Sequence, residues 1–170
     1  MYIQYRDGQT RCAAPVPGGA RADAHDVVES AGGLICDRVR QGWRVTIRVP
    51  AGADMRPLRV LGADIEDGAP ERDLRTALLT SAALYTTDRS IRSEVDAALA
   101  TKTTEVLLWG TAADLGAVRS VTHRLSGAAL AFKFQALLAA ALPAAAVEPT
   151  EAFRTACALD VIARELDVAG

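Results

Sequence analysis

Two hydrophobic periods divide the chain. Tyr2 to Arg6 and Gln9 to Ala13 are short extended runs on either side of Asp7-Gly8. That pair suits the positive φ angles of a tight turn, so the N-terminus predicts a β-hairpin. From Asp23 the period changes to a helical one: Val27, Val28, Ala31, Leu34, Ile35 and Val39 fall on one side, with Glu29, Asp37 and Arg40 on the other. Gly32-Gly33 sits inside this helix at a cost of about 1 kcal/mol per glycine relative to alanine. Either another backbone packs closely there or the helix kinks. Trp43, Val45, Ile47 and Val49 then alternate with Arg44, Thr46 and Arg48, which predicts a half-buried strand. Pro57 to Gly62 predicts a shorter one.

The second half reads as mostly helical. Leu74, Ala77, Leu78, Ala82 and Tyr85 form one helical stripe, and Ile91, Val95, Ala98 and Leu99 form another after Asp88 or Ser90. Between them and the C-terminus lies the most apolar bounded run, Thr104 to Gly110. Val106 to Trp109 shows no alternation, the pattern of a strand covered on both faces of a layered sheet. Thr111 can cap a helix whose inward residues are Leu115, Val118, Val121, Thr122 and Leu125. Ala128 to Leu142 is apolar nearly all round, and Thr150 opens a last helical pattern through Phe153, Cys157, Val161, Ile162 and Leu166. The expectation is an α/β fold with a mixed sheet of about five strands flanked by helices and an alanine-rich helical C-terminal part. Residues 1–170 form a single domain, with an α/β part over 1–110 and a helical part over 111–170.

Composition narrows the functional classes. Half of the 170 residues are hydrophobic and only 5% are aromatic, so the core is built from Ala, Leu and Val. The net charge of −2, with no block of like charge, argues against nucleic acid as a partner. No apolar run reaches the roughly 18 residues of a membrane span, because Lys133 and Gln135 interrupt the best candidate. Cys12, Cys36 and Cys157 are odd in number and far apart, which points to a reducing cytoplasm.

Candidate chemistry is sparse. Gly18-Gly19 precedes a helix and could bring backbone N–H groups to an anion, although the motif is incomplete and Asp23 and Asp26 would repel one. Arg44 and Arg48 share one strand face, where guanidinium groups could hold a small anionic ligand or simply pair with Asp54, Asp64 or Glu66. His25 and His123 have no zinc-like spacing to the cysteines, so no metal site is expected, and no motif calls for a cofactor. No catalytic residue can be named. Leu130, Phe132, Phe134 and Leu138 are too many large apolar groups to leave in water, and they predict a contact within the domain or between chains. The leading expectation is a non-catalytic interaction or assembly module, self-associating through its C-terminal apolar helices. The alternative is a small-molecule or nucleotide-binding enzyme, with a site near Gly18-Gly19 and the carboxyl ends of the strands, beyond Gly110.

Overall fold

Strand–helix–strand crossovers build most of the architecture. In the computed structural model, which describes residues 2–6, 9–12, 24–47, 52–65, 77–101, 104–111, 119–143 and 147–155, the hairpin strands are β1 (Tyr2–Arg6) and β2 (Gln9–Cys12). Helix α1 (Ala24–Arg40) leads to β3 (Arg44–Ile47), and the short α2 (Arg56–Val60) leads to β4 (Asp64–Ile65). Next come β5 (Ala77–Ser81), α3 (Ala82–Thr87), α4 (Arg89–Thr101) and β6 (Glu105–Trp109). The described chain closes with β7 (Arg119–Arg124), α5 (Gly127–Ala139) and β8 (Thr150–Thr155).

The strands form one mixed sheet in the order β4-β3-β2-β1-β5-β6-β8-β7. The pairs β2–β3, β3–β4 and β5–β6 are parallel, and the others are antiparallel. Crossovers from β2 to β3 and from β5 to β6 run outward in opposite directions. Right-handed connections therefore put their helices on opposite faces. The packing agrees: α1, α2 and α5 pack together, while α3 packs with α4. Every residue of β5 and of β6 is buried, as the unbroken apolar run of β6 predicts. Both crossover helices on the second face start from side-chain caps. Ser81 Oγ accepts from the Leu84 N–H at 3.1 Å, and Asp88 Oδ1 accepts from the Ser90 and Ile91 N–H groups at 2.8 and 3.1 Å.

The mixed α/β architecture, the N-terminal hairpin and the helix from residue 24 follow the sequence pattern, but four segments differ. Ala77–Ser81 is a strand although it lies within a helical stripe, because a five-residue apolar run fits either structure and here it is clamped between β1 and β6. Residues 119–124 form a strand whose buried Val121 and His123 alternate with exposed Ser120 and Arg124 and half-buried Thr122, so His123 sits on β7 and is only 7% exposed. Thr150–Thr155 is likewise a strand, burying Glu151, Phe153 and Thr155 in alternation. Pro57 lies in the first turn of α2, where its missing N–H costs nothing, so this segment is helical. The sheet therefore has eight strands among the described residues instead of about five. The C-terminal part contributes β7 and β8 to it beside the single described helix α5.

Candidate functional site

Helix α1 carries a polar stripe that is half-buried at Asp26 and Ser30 and buried from Gly33 to Asp37. Asp26, Ser30, the Gly33-Leu34 backbone and Asp37 recur every three or four residues, so they share one face. Asp26, the Gly33-Leu34 backbone and Asp37 each meet a partner from the second half of the chain. Asp26 Oδ2 accepts from Trp109 Nε1 at 3.0 Å, and its Oδ1 accepts from Ser30 Oγ at 3.3 Å. One turn on, the Glu151 carboxylate accepts from the N–H groups of Gly33 and Leu34 at 2.7 and 2.8 Å. Glu151 also holds Lys133 Nζ at 2.6 Å, and Lys133 donates to the Glu29 carbonyl at 2.7 Å. Glu29 carbonyl and Gly33 N–H are the two ends of one helical i→i−4 step. The Lys133–Glu151 pair thus bridges that step from outside the helix.

Both members of the pair are 4% exposed. Removing two such charges from water costs several kcal/mol per ion, which only close pairing and further hydrogen bonds can offset. Glu151 has three donors and Lys133 has two acceptors, so the pair is well supplied. Gly33 makes the approach possible. A Cβ there would lie 2.3 Å from Leu125 Cγ. Gly33 is therefore explained by a close side chain and an inserted carboxylate, whereas close backbone packing or a kink was the expectation; at Gly32 an added Cβ would meet only ordinary contacts, the nearest Leu61 Cδ1 at 3.4 Å.

A second cluster lies one turn further along α1. Asp37 Oδ2 is 2.9 Å from His123 Nε2 and accepts from the Ser126 N–H at 3.1 Å, while Oδ1 accepts from Ser126 Oγ at 2.5 Å. Ser126 Oγ in turn accepts from the Ala129 N–H at 3.1 Å, so Asp37 steadies the cap of α5. Asp37 lies in the core at 8% exposure, contrary to its expected place on the solvent side of the helix. The arrangement holds structure together: serine and histidine both contact the carboxylate, and no histidine–serine bond exists to activate a nucleophile. Beyond it, Glu105 at the start of β6 is 1% exposed, and neither of its oxygens has a hydrogen-bond partner among the described residues. Burial pushes its carboxyl up to about 7, with Arg38 and Arg119 opposing that rise.

The Lys133–Glu151 pair lines a cavity of about 290 Å3 at the carboxyl end of β6. Trp109 and Gly110 belong to its wall, together with Leu137, Pro143, Val147 and Ala152. Glu29, Glu148, Ser30 and Thr150 complete the lining. The chain reaches the cavity through a turn after α5 in which Leu142 N–H bonds the Leu137 carbonyl and Ala141 N–H bonds that of Leu138. Ala141 takes φ 55° there, a left-handed position that normally favours glycine. Sequence reasoning missed Lys133, Glu151 and Asp37 as partners. The available signal was Lys133, a lone charge in an otherwise apolar helix, which must find a counter-charge if that face is buried.

The residues singled out beforehand are scattered. Gly18, Gly19 and Arg48 lie outside the described residues. Arg44 is exposed at the start of β3, at the opposite end of the sheet from the cavity, and its Nε is 3.7 Å from Asp64 Oδ2. His25 is half-buried in the first turn of α1. Cys36 is a buried free thiol whose pKa burial raises to about 11, far from a reactive thiolate. Among the described residues no group of three or more His, Cys, Asp or Glu side chains is placed to hold a metal ion, and no helix is long and apolar enough to cross a membrane.

The remaining surface feature is the outer side of α5. Leu130 is half-buried against the core, whereas Phe132, Phe134 and Leu138 are 43%, 37% and 51% exposed. Ala131 and Gln135 are exposed between them, which leaves Gln135 as the one polar side chain among these five. No family model, no curated protein and no solved structure matches this chain.

Proposed function

We propose that this protein is a non-catalytic assembly module that self-associates through the outer face of α5. The observation that carries the reading is the exposure of Phe132, Phe134 and Leu138 on one helix with no charged side chain among the exposed residues. Large apolar groups grouped in this way mark contact surfaces more often than plain solvent-facing helices. A second copy of the chain is the favoured occupant. A face without charge carries no electrostatic code for a different partner, and a two-fold contact needs only a patch that matches itself. The cytoplasm is the compartment proposed with it, on the strength of the unpaired cysteine pattern, with Cys36 buried as a free thiol.

Native mass spectrometry tests this reading. Dimers or larger assemblies of the 17.9 kDa chain are expected, and replacing Phe134 and Leu138 with Asp should return the monomer. A wild-type protein that stays monomeric at concentrations of about 100 μM, where even weak specific contacts assemble, overturns it.

A second reading, a small-molecule site, is favoured by a different observation. The cavity beside Lys133 and Glu151 lies beyond Gly110, at the carboxyl end of a parallel strand, where ligands collect in open α/β sheets.

A further inference from the structure

We propose that the cavity at the carboxyl end of β6 binds a small zwitterion of the α-amino acid class, its carboxylate held by Lys133 and its ammonium by Glu29 and Glu148. This goes beyond the assembly reading and does not depend on it.

The inference starts from Lys133. An ammonium group has three donors, and Lys133 spends two of them, on Glu151 Oε1 at 2.6 Å and on the Glu29 carbonyl at 2.7 Å. One donor is left on a charge that is 4% exposed and that lines the cavity. A desolvated donor of this kind bonds strongly to an anionic oxygen. Glu151 cannot play the opposite part, because its oxygens already accept from Lys133, Gly33 and Leu34.

The opposite charge lies elsewhere in the lining. Glu29 and Glu148 are exposed acidic residues that line the cavity. With Glu151 they make three acidic residues against one lysine among the described lining residues, so an anion lacking its own positive charge would be repelled by them. A ligand bearing both charges satisfies both sets of groups. Leu137 and Val147 supply an apolar wall for the body of such a molecule, and about 290 Å3 admits an amino acid of medium size.

Titration calorimetry of the full chain with three matched probes tests this. L-Leucine carries both charges, 3-methylbutylamine keeps the ammonium alone, and 4-methylpentanoate keeps the carboxylate alone. The expected result is saturable leucine binding, with both single-charge analogues at least about tenfold weaker, since each forfeits a charge-assisted hydrogen bond. Equal binding of the amine would show that Lys133 is not used. Equal binding of the acid would show that the glutamates are not used. Absence of a thermal shift with any of the common amino acids at millimolar concentration would also overturn the proposal. Lys133→Met should abolish binding, but it also leaves Glu151 buried without its counter-charge, so loss of binding there does not separate the site from the fold. Glu148→Gln provides the independent check. It alters an exposed side chain, so the melting temperature of the free protein should be unchanged while leucine affinity falls about tenfold. An unchanged affinity in Glu148→Gln contradicts the assignment of that carboxylate.

Discussion

The two sides of α5 reverse the usual rule of burial. Its inner side buries a lysine, Lys133, at 4% exposure, and its outer side leaves Phe132, Phe134 and Leu138 between 37% and 51% exposed. The inner side is stable because each charge finds a short, specific partner: Glu151 on β8 and the backbone of α1. The outer side has no such compensation among the described residues, and in the proposed assembly a second copy of the chain would cover it. Burial here follows partners more than residue class. A charge is tolerated inside when its hydrogen bonds are met, and the apolar groups left outside are the basis of the assembly proposal.

Breaking the inner side should have the largest effect. Glu151→Ala leaves Lys133 buried without its counter-charge, and a loss of about 3–5 kcal/mol in urea unfolding is expected. A loss below about 1 kcal/mol would mean that Lys133 simply swings into water, and that the pair does not tie α5 to α1. The double variant Glu151→Leu with Lys133→Met should recover much of that stability, because the two mutually dependent charges leave together.

Glu105 sharpens the comparison, since it is a buried charge without the partners that Lys133 enjoys. Its carboxyl pKa rises from 4.5 to about 7 on burial. A folded-state pKa above the unfolded one means that the folded chain binds the proton more tightly. The contribution to stability is therefore full below about pH 4.5 and is lost as pH rises to about 7. The shift corresponds to about 3 kcal/mol. Glu94 is also raised to about 7 by burial, so both groups act in the same pH window. Glu105→Gln isolates the first. Its stability relative to wild type should be highest at pH 8 and should fall towards zero at pH 4.5. A gain independent of pH would show that Glu105 is ionised throughout that range.

Gly33→Ala tests how closely the inner contact is fitted. In an open helix this change stabilises by about 1 kcal/mol. Here the added Cβ meets Leu125 Cγ at 2.3 Å, so a net loss of about 1–3 kcal/mol is expected in thermal or urea unfolding. A stabilised variant would show that Leu125 moves aside freely. The smallest effect on folding should come from the outer side. Phe134→Asp and Leu138→Asp should each change monomer stability by less than about 0.5 kcal/mol while weakening assembly.

The fold was legible where one period dominated its segment. Val106 to Trp109 and the Val27-to-Val39 stripe each match a single template, and the structure places a buried strand and a helix there. Ala77–Ser81, Arg119–Arg124 and Thr150–Thr155 were not legible as strands. They are short, they carry Ala, Thr or Arg, and they form as strands because of pairing with sequence-distant neighbours, which a local pattern does not encode. The polar stripe on α1 was hidden for the same reason. Asp37 looks like a solvent-facing residue until His123 and Ser126 arrive from 86 and 89 residues away. The apolar surplus of α5 was legible in composition, but the exposure of Phe132, Phe134 and Leu138 was not, because a pattern that is apolar nearly all round does not say which side faces the core.

Sedimentation velocity of the wild-type protein beside the Phe134→Asp, Leu138→Asp double variant, from about 1 to 100 μM, tests the central claim most directly, since specific contacts dissociate within that range. The account predicts a wild-type boundary that moves towards twice 17.9 kDa or more as concentration rises, and a double variant that stays at one chain mass. A wild-type boundary at 17.9 kDa throughout, or assembly that persists in the double variant, would contradict it.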